Sequence, residues 1–63
     1  MTERYNVGLD VLHLRRMAGL TQKQLAKLVG CSRWYLSTIE RGHARGSDEL
    51  MARIFAALKT RNA

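Results

Sequence analysis

The 63-residue sequence contains no proline, one cysteine and no long apolar run. Without proline, nothing in the chain forbids continuous helices. The single Cys31 cannot form an intrachain disulfide, and neither His13 nor His43 has metal-ligand spacing to it, so we expect no metal, no cofactor and a reducing cytoplasm. A membrane-spanning helix needs about 18 consecutive apolar residues, and none is present. The N-terminal residues also lack the pattern of a secretion signal.

Acidic residues are missing from the middle of the chain. No Asp or Glu lies between residues 11 and 39, whereas this stretch carries the cations Arg15, Arg16, Lys23, Lys27 and Arg33. The formal net charge is +6. A field of one sign on a small domain favours a polyanionic partner such as nucleic acid. The same charge can also serve solubility alone.

Apolar residues recur at helical spacing, and no segment alternates as a strand would. The first predicted helix has Asn6 as its N-cap, ends at Gly19 and has the apolar face Val7, Val11, Leu14 and Ala18. The second has the apolar side Leu25, Leu28 and Val29, and the third turns Leu36 and Ile39 inward. The fourth carries the apolar face Leu50, Met51, Ile54, Phe55 and Leu58. We therefore predict an all-α, four-helix fold in one domain, residues 1–63, with a core over about 7–58.

Capping residues mark where these helices start and stop. Residues 21–24 (TQKQ) read as a capping box, and Ser32 and Ser47 are suited to cap the third and fourth helices. Gly30 ends the second helix only two residues before Ser32. Two helices joined by so short a glycine turn must cross steeply, and Ala26 is small where they approach. The sequence thus predicts a helix-turn-helix over about 21–41, with helix 32–41 free to enter a DNA major groove.

Several spaced segments together resemble the lambda-type phage repressor and Cro family of helix-turn-helix proteins. They are residues 14–26 (LRRMAGLTQKQLA), 29–32 (VGCS), 39–42 (IERG) and 47–58 (SDELMARIFAAL). The resemblance implies a four-helix DNA-binding domain that regulates transcription. Proteins of this family commonly add a fifth helix, often used in dimerisation, for which the four predicted helices leave no room.

The resemblance also implies roles for individual residues. The positions that would face the base pairs are Arg33, Trp34, Ser37 and Thr38. Arg33 is the leading candidate for direct readout, because a guanidinium pairs with both O6 and N7 of guanine. Trp34 could instead brace Arg33. Contacts to the DNA backbone would come from Gln22, Lys23, Ser32, Tyr35, Arg41, His43 and Arg45, although Tyr35 could equally pack against the second helix.

Three further interpretations concern a salt bridge, a dimer contact and the single cysteine. By the same resemblance, Arg15 and Glu40 would form a salt bridge that fixes the angle of the recognition helix. The alternative is that Glu40 is a solvated surface carboxylate. Met51 and Phe55, four residues apart, are the candidate dimer contact, or they simply complete the core. Cys31 is expected to be a small packing residue rather than a redox switch.

The sequence thus favours a Cro-like repressor that binds a double-stranded operator, with two half-sites if the protein forms a homodimer. An antitoxin or anti-repressor that uses the same fold to bind a protein remains the alternative. We expect no enzyme, because no nucleophile–base pair, metal cluster or phosphate loop is present. The capped helices argue against a membrane-active peptide, and no small-molecule ligand is expected. Phage origin is suggested only by the family likeness.

Overall fold

Four helices account for most of residues 7–62, which are the residues that the computed structural model describes. They are α1 (Val7–Met17), α2 (Gln22–Val29), α3 (Arg33–Glu40) and α4 (Asp48–Arg61), and no strand occurs among these residues. The predicted all-α, four-helix fold is confirmed. The predicted N-cap Asn6 lies outside the described residues.

The predicted capping residues occupy the starts of α2, α3 and α4. At α2 the Thr21 hydroxyl accepts from the Gln24 amide at 3.1 Å, and the Thr21 amide donates to the Gln24 side chain at 2.8 Å. Ser32 and Ser47 accept in the same way from the amides three residues ahead, at 3.0 and 3.1 Å. Each cap binds an amide that has no carbonyl partner within its helix, so the helix starts follow from local sequence.

Gly30 makes the turn between α2 and α3. Its φ is +80°, in the left-handed region that glycine enters without steric cost. The amides of Gly30 and Cys31 both donate to the carbonyl of Ala26, at 2.9 and 3.0 Å. This arrangement ends α2 and leaves only residues 30–32 before α3 begins, as the sequence predicts.

The core lies between the four helices and is made of small and medium aliphatic side chains. Its members are Val11, Leu25, Ala26, Val29, Leu36, Ile39, Leu50, Ile54 and Leu58. The prediction that Leu28 lies on the apolar side of α2 is wrong, because its side chain is 49% exposed. Each helical residue advances roughly 100°, so Leu28 falls about 110° from the middle of the arc that Leu25, Ala26 and Val29 share. Ala26 occupies the inward position instead.

Helix α1 crosses α3 at Gly8, a residue for which the sequence offered no role. A Cβ at this position would overlap the carbonyl oxygen of Ile39 and lie 3.2 Å from that of Glu40. The backbones of the two helices therefore touch at the C-terminal end of α3. Only glycine allows this approach, which brings the end of α3 against α1.

We predict that Gly8→Ala destabilises the domain. In an exposed helix this change is favourable by about 1 kcal/mol, because alanine has the higher helix propensity. Here the added methyl group would overlap backbone atoms of α3. Overpacking of this kind lowers the free energy of unfolding by about 1–3 kcal/mol. Urea denaturation followed by circular dichroism measures the difference. Leu9→Ala, on the exposed side of the same turn, should stay near wild type, and a Gly8→Ala protein as stable as wild type would refute the close crossing.

Candidate nucleic-acid interface

Helix α3 has one buried side and one exposed side. Leu36 and Ile39 are fully buried, whereas Arg33 and Trp34 are exposed and Ser37 and Thr38 are half-buried. At roughly 100° per residue, positions 33, 34, 37, 38 and 41 share an arc of about 140° that faces away from Leu36 and Ile39. The four predicted base-contacting residues therefore lie together on the outer face of α3.

The polar groups on this face differ in how far they are already engaged. Thr38 donates its hydroxyl proton to the carbonyl of Trp34 at 2.9 Å. Arg33 makes no salt bridge to any residue in 7–62, and Trp34 is 71% exposed. Within residues 7–62, the Arg33 guanidinium therefore has no salt-bridge partner, and most of the Trp34 surface is open to solvent.

The N-terminus of α2 opens into a hollow that also contains Arg33. The hollow is lined by Arg15, Gly19, Leu20, Thr21, Gln22, Lys23 and Arg33. The capping box satisfies the Gln24 amide, while the amides of Gln22 and Lys23, ahead of it, have no carbonyl partner within the helix. Unpaired amides, the helix dipole and the Lys23 side chain together suit an anion such as a phosphate.

A buried ion pair links α1 to the end of α3. Arg15 Nε lies 2.7 Å from Glu40 Oε2 and Nη2 lies 3.2 Å from Oε1, with the two side chains 11% and 3% exposed. Arg15 Nη1 also donates to the carbonyl of Leu20 at 2.9 Å. The predicted pair is thus present, and Glu40 is not a solvated carboxylate.

Sequence reasoning missed a third member of this cluster. The side-chain amide of Gln22 donates to Glu40 Oε1 at 2.9 Å. The sequence predicts only a phosphate contact for Gln22, and no local signal indicates that its side chain reaches α3, 18 residues away. The bond ties the N-terminus of α2 to the C-terminus of α3 and holds Gln22 at the edge of the hollow.

The other residues predicted to contact the DNA backbone lie at the start of α3, within it or just beyond its end. Ser32 caps α3, Tyr35 is half-buried against the core, and Arg41 directly follows the helix with Nε 3.4 Å from the Ser37 carbonyl. His43 and Arg45 are exposed in the loop before α4, where Arg45 lies 3.6 Å from Asp48.

Cys31, Met51 and Phe55 are all half-buried and pack against the core. Burial raises the pKa of the Cys31 thiol. Because the thiolate is the reactive form, the raised pKa makes this thiol less reactive at neutral pH. Met51 and Phe55 contribute to the core on one side and keep part of their surface exposed on the other.

Within residues 7–62, no group of three or more His, Cys, Asp or Glu side chains is placed to hold a metal ion. None of the four described helices combines the length and the apolarity that a membrane crossing requires.

Comparisons with known proteins agree with this geometry. A family model described as helix-turn-helix matches residues 3–61. Among solved structures, the chain is similar to the clp gene regulator ClgR from Corynebacterium glutamicum, with 36% identity and a TM-score of 0.81. The match covers 84% of this chain and 56% of the ClgR chain, so this chain spans little more than half of that regulator. No curated protein sequence matched.

We predict that Glu40→Gln destabilises the fold much more than Glu49→Gln does. Both carboxylates lie 2.7 Å from an arginine nitrogen, but the Arg53–Glu49 side chains are 55% and 78% exposed. Breaking a buried pair costs about 3 kcal/mol or more, because Arg15 keeps an uncompensated charge. An exposed pair contributes about 1 kcal/mol or less. Denaturant titration of the two variants measures both losses, and equal losses would contradict a structural role for Glu40.

Proposed function

The chain belongs to the lambda-repressor/Cro-like helix-turn-helix family, and on this premise we propose that it is a sequence-specific DNA-binding transcription regulator. Specifically, it acts as a Cro-like repressor that places α3 in the major groove of a double-stranded operator. The similarity to ClgR, a protein described as a gene regulator, supports the assignment.

The outer face of α3 is the observation that carries this proposal. It presents Arg33, Trp34, Ser37 and Thr38 on the side opposite the core, and it bears no acidic residue. An α-helix with this exposure fits the width of the major groove, where each base pair has its own pattern of donors and acceptors. Arg33 is the candidate for guanine, because its guanidinium has no salt-bridge partner in residues 7–62.

Phosphate contacts on either side of α3 would hold the helix in register. The unpaired amides at the start of α2 and the Lys23 side chain form one anchor, beside Gln22. Ser32 and Tyr35 lie at the start of α3, and Arg41, His43 and Arg45 lie beyond its end. Such contacts fix position and orientation on the duplex without reading sequence. They also make the affinity depend strongly on salt.

The proposed function includes a homodimer and a cellular location. The exposed sides of Met51 and Phe55 form the homodimer contact, which is weak or made on DNA, so that two copies of α3 reach two half-sites one helical turn apart. The protein works in a bacterial cytoplasm, where it is encoded by a phage or by the host. It acts as a binding protein and not as an enzyme. Its chain supplies an anion-binding surface and a groove-reading helix, and these are sufficient for repression by occupancy of an operator.

We expect selection from a random duplex pool to yield an inverted repeat with half-sites about 10 base pairs apart. The selected duplex should bind at least about 10³-fold more tightly than a scrambled duplex at physiological salt. Fluorescence anisotropy at two salt concentrations measures both affinities. If no site emerges and all binding disappears as salt rises, the positive charge attracts DNA only non-specifically. The antitoxin or anti-repressor alternative then takes precedence.

Arg33→Ala should weaken binding to the selected duplex by about 5- to 150-fold and relax the preference at one base pair, because a bidentate contact to guanine is lost. Arg61→Ala is the matched control, since it removes the same charge from an exposed position on α4, away from α3. It should change the affinity only slightly. Equal effects of the two substitutions on specific binding would count against α3 as the reading helix.

A further inference from the structure

The outer face of α3 divides into two rows of different chemistry. One row contains Arg33, Ser37 and Arg41, which follow each other at intervals of four residues and carry the charges and a hydroxyl. The other contains Trp34 and Thr38, again four residues apart. Residues at this spacing lie about 40° apart around the helix and one turn apart along it, so each row is continuous.

Trp34 gives the second row its apolar surface. Trp34 is 71% exposed, and a tryptophan this exposed adds little to the stability of the fold. Apart from one N–H at its edge, the ring offers only flat apolar surface. A side chain of this kind on a groove-facing helix suits an apolar group on the DNA rather than a charged one.

Thr38 extends the same apolar surface. Its hydroxyl proton is donated to the Trp34 carbonyl at 2.9 Å, so this proton is not available to a base. Thr38 can therefore offer the DNA a methyl group and a remaining lone pair. Ser37, in the other row, has no such back-bond, and its hydroxyl can still donate.

The major groove displays one apolar group among its donors and acceptors, the C5-methyl group of thymine. A 5-methylcytosine carries a methyl group at the same ring position. We propose that the Trp34–Thr38 row recognises the 5-methyl group of a pyrimidine, thymine or 5-methylcytosine, independently of the row that contains Arg33. This proposal rests on the proposed function, because it requires α3 to lie in the groove.

Recognition of a 5-methyl group would let cytosine methylation regulate binding at the same site. At the pyrimidine that the row contacts, cytosine methylation would strengthen binding, because it supplies the group that unmodified cytosine lacks. The row that contains Arg33 would be unaffected by such methylation. The half-site would then carry two separable determinants, a guanine and a methylated pyrimidine.

Recognition of the thymine methyl group is tested by replacing each thymine of the selected duplex, one at a time, with deoxyuridine. Uracil pairs as thymine does and differs only by the missing methyl group. We expect one or two thymines per half-site at which the change to deoxyuridine weakens wild-type binding by about three- to fivefold, the value of one buried methyl group. At the same positions, 5-methylcytosine should bind more tightly than cytosine by a similar factor.

Variants assign the effect to the row. Trp34→Ala should bind the thymine and deoxyuridine duplexes equally, whereas Trp34→Phe should keep part of the difference. Thr38→Val should also keep it, because the hydroxyl proton of Thr38 is not used on the DNA. Ser37→Ala is the matched control in the other row and should leave the thymine-to-uracil ratio unchanged. Circular dichroism melting confirms that the variants fold, as the exposure of Trp34 predicts.

Three results would overturn the proposal. Specific binding in which no thymine is sensitive to loss of its methyl group overturns it and leaves the proposed function intact. The same conclusion follows if the Trp34→Ala protein keeps the wild-type ratio of affinities for the thymine and deoxyuridine duplexes. Failure to select any site overturns both, and the scrambled-duplex comparison distinguishes that case from the other two.

Discussion

The geometry of the helix-turn-helix depends on the buried contact between Arg15 and Glu40. Taking two charges out of water is costly, and only a pair with well-aligned hydrogen bonds offsets the loss of hydration. Here the guanidinium donates twice to the carboxylate and once to the Leu20 carbonyl, and Gln22 donates to the same carboxylate. No side-chain polar atom buried within residues 7–62 lacks a partner. Few other arrangements of α1, α2 and α3 would satisfy all of these groups, so the pair specifies one arrangement.

This constraint separates the interior of the motif from the outer face of α3. Leu36 and Ile39 anchor α3 to the core, and Glu40 holds its C-terminus, so the helix has little freedom to rotate or tilt. Arg33 and Trp34, on the opposite side, contribute little to that packing. The residues on this outer face can therefore vary in chemistry without loss of the scaffold, because other residues hold it. The two rows on α3 are one such choice.

Sequence reasoning succeeded where the controlling contacts are local. The capping box at Thr21, the serine caps and the glycine turn at residue 30 each involve hydrogen bonds within five residues, so a short segment is enough to predict them. The Arg15–Glu40 pair is 25 residues apart and was predicted only through the family resemblance. The prediction that Leu28 lies on the apolar side of α2 is wrong because it rests on hydrophobicity. The contacts between α2 and its neighbours decide which part of that helix is covered.

The sequence by itself determined the four helices, their ends, the tight turn of the motif and which residues share the outer face of α3. These features follow from caps, glycines and a period of about 3.6 residues, all of which act within one helix. Only the tertiary structure decided that Gly8 is the point where α1 meets the backbone of α3, and that Gln22 shares the carboxylate of Glu40. Those contacts depend on the distances and angles between helices, which arise when the core packs and are encoded in no single segment.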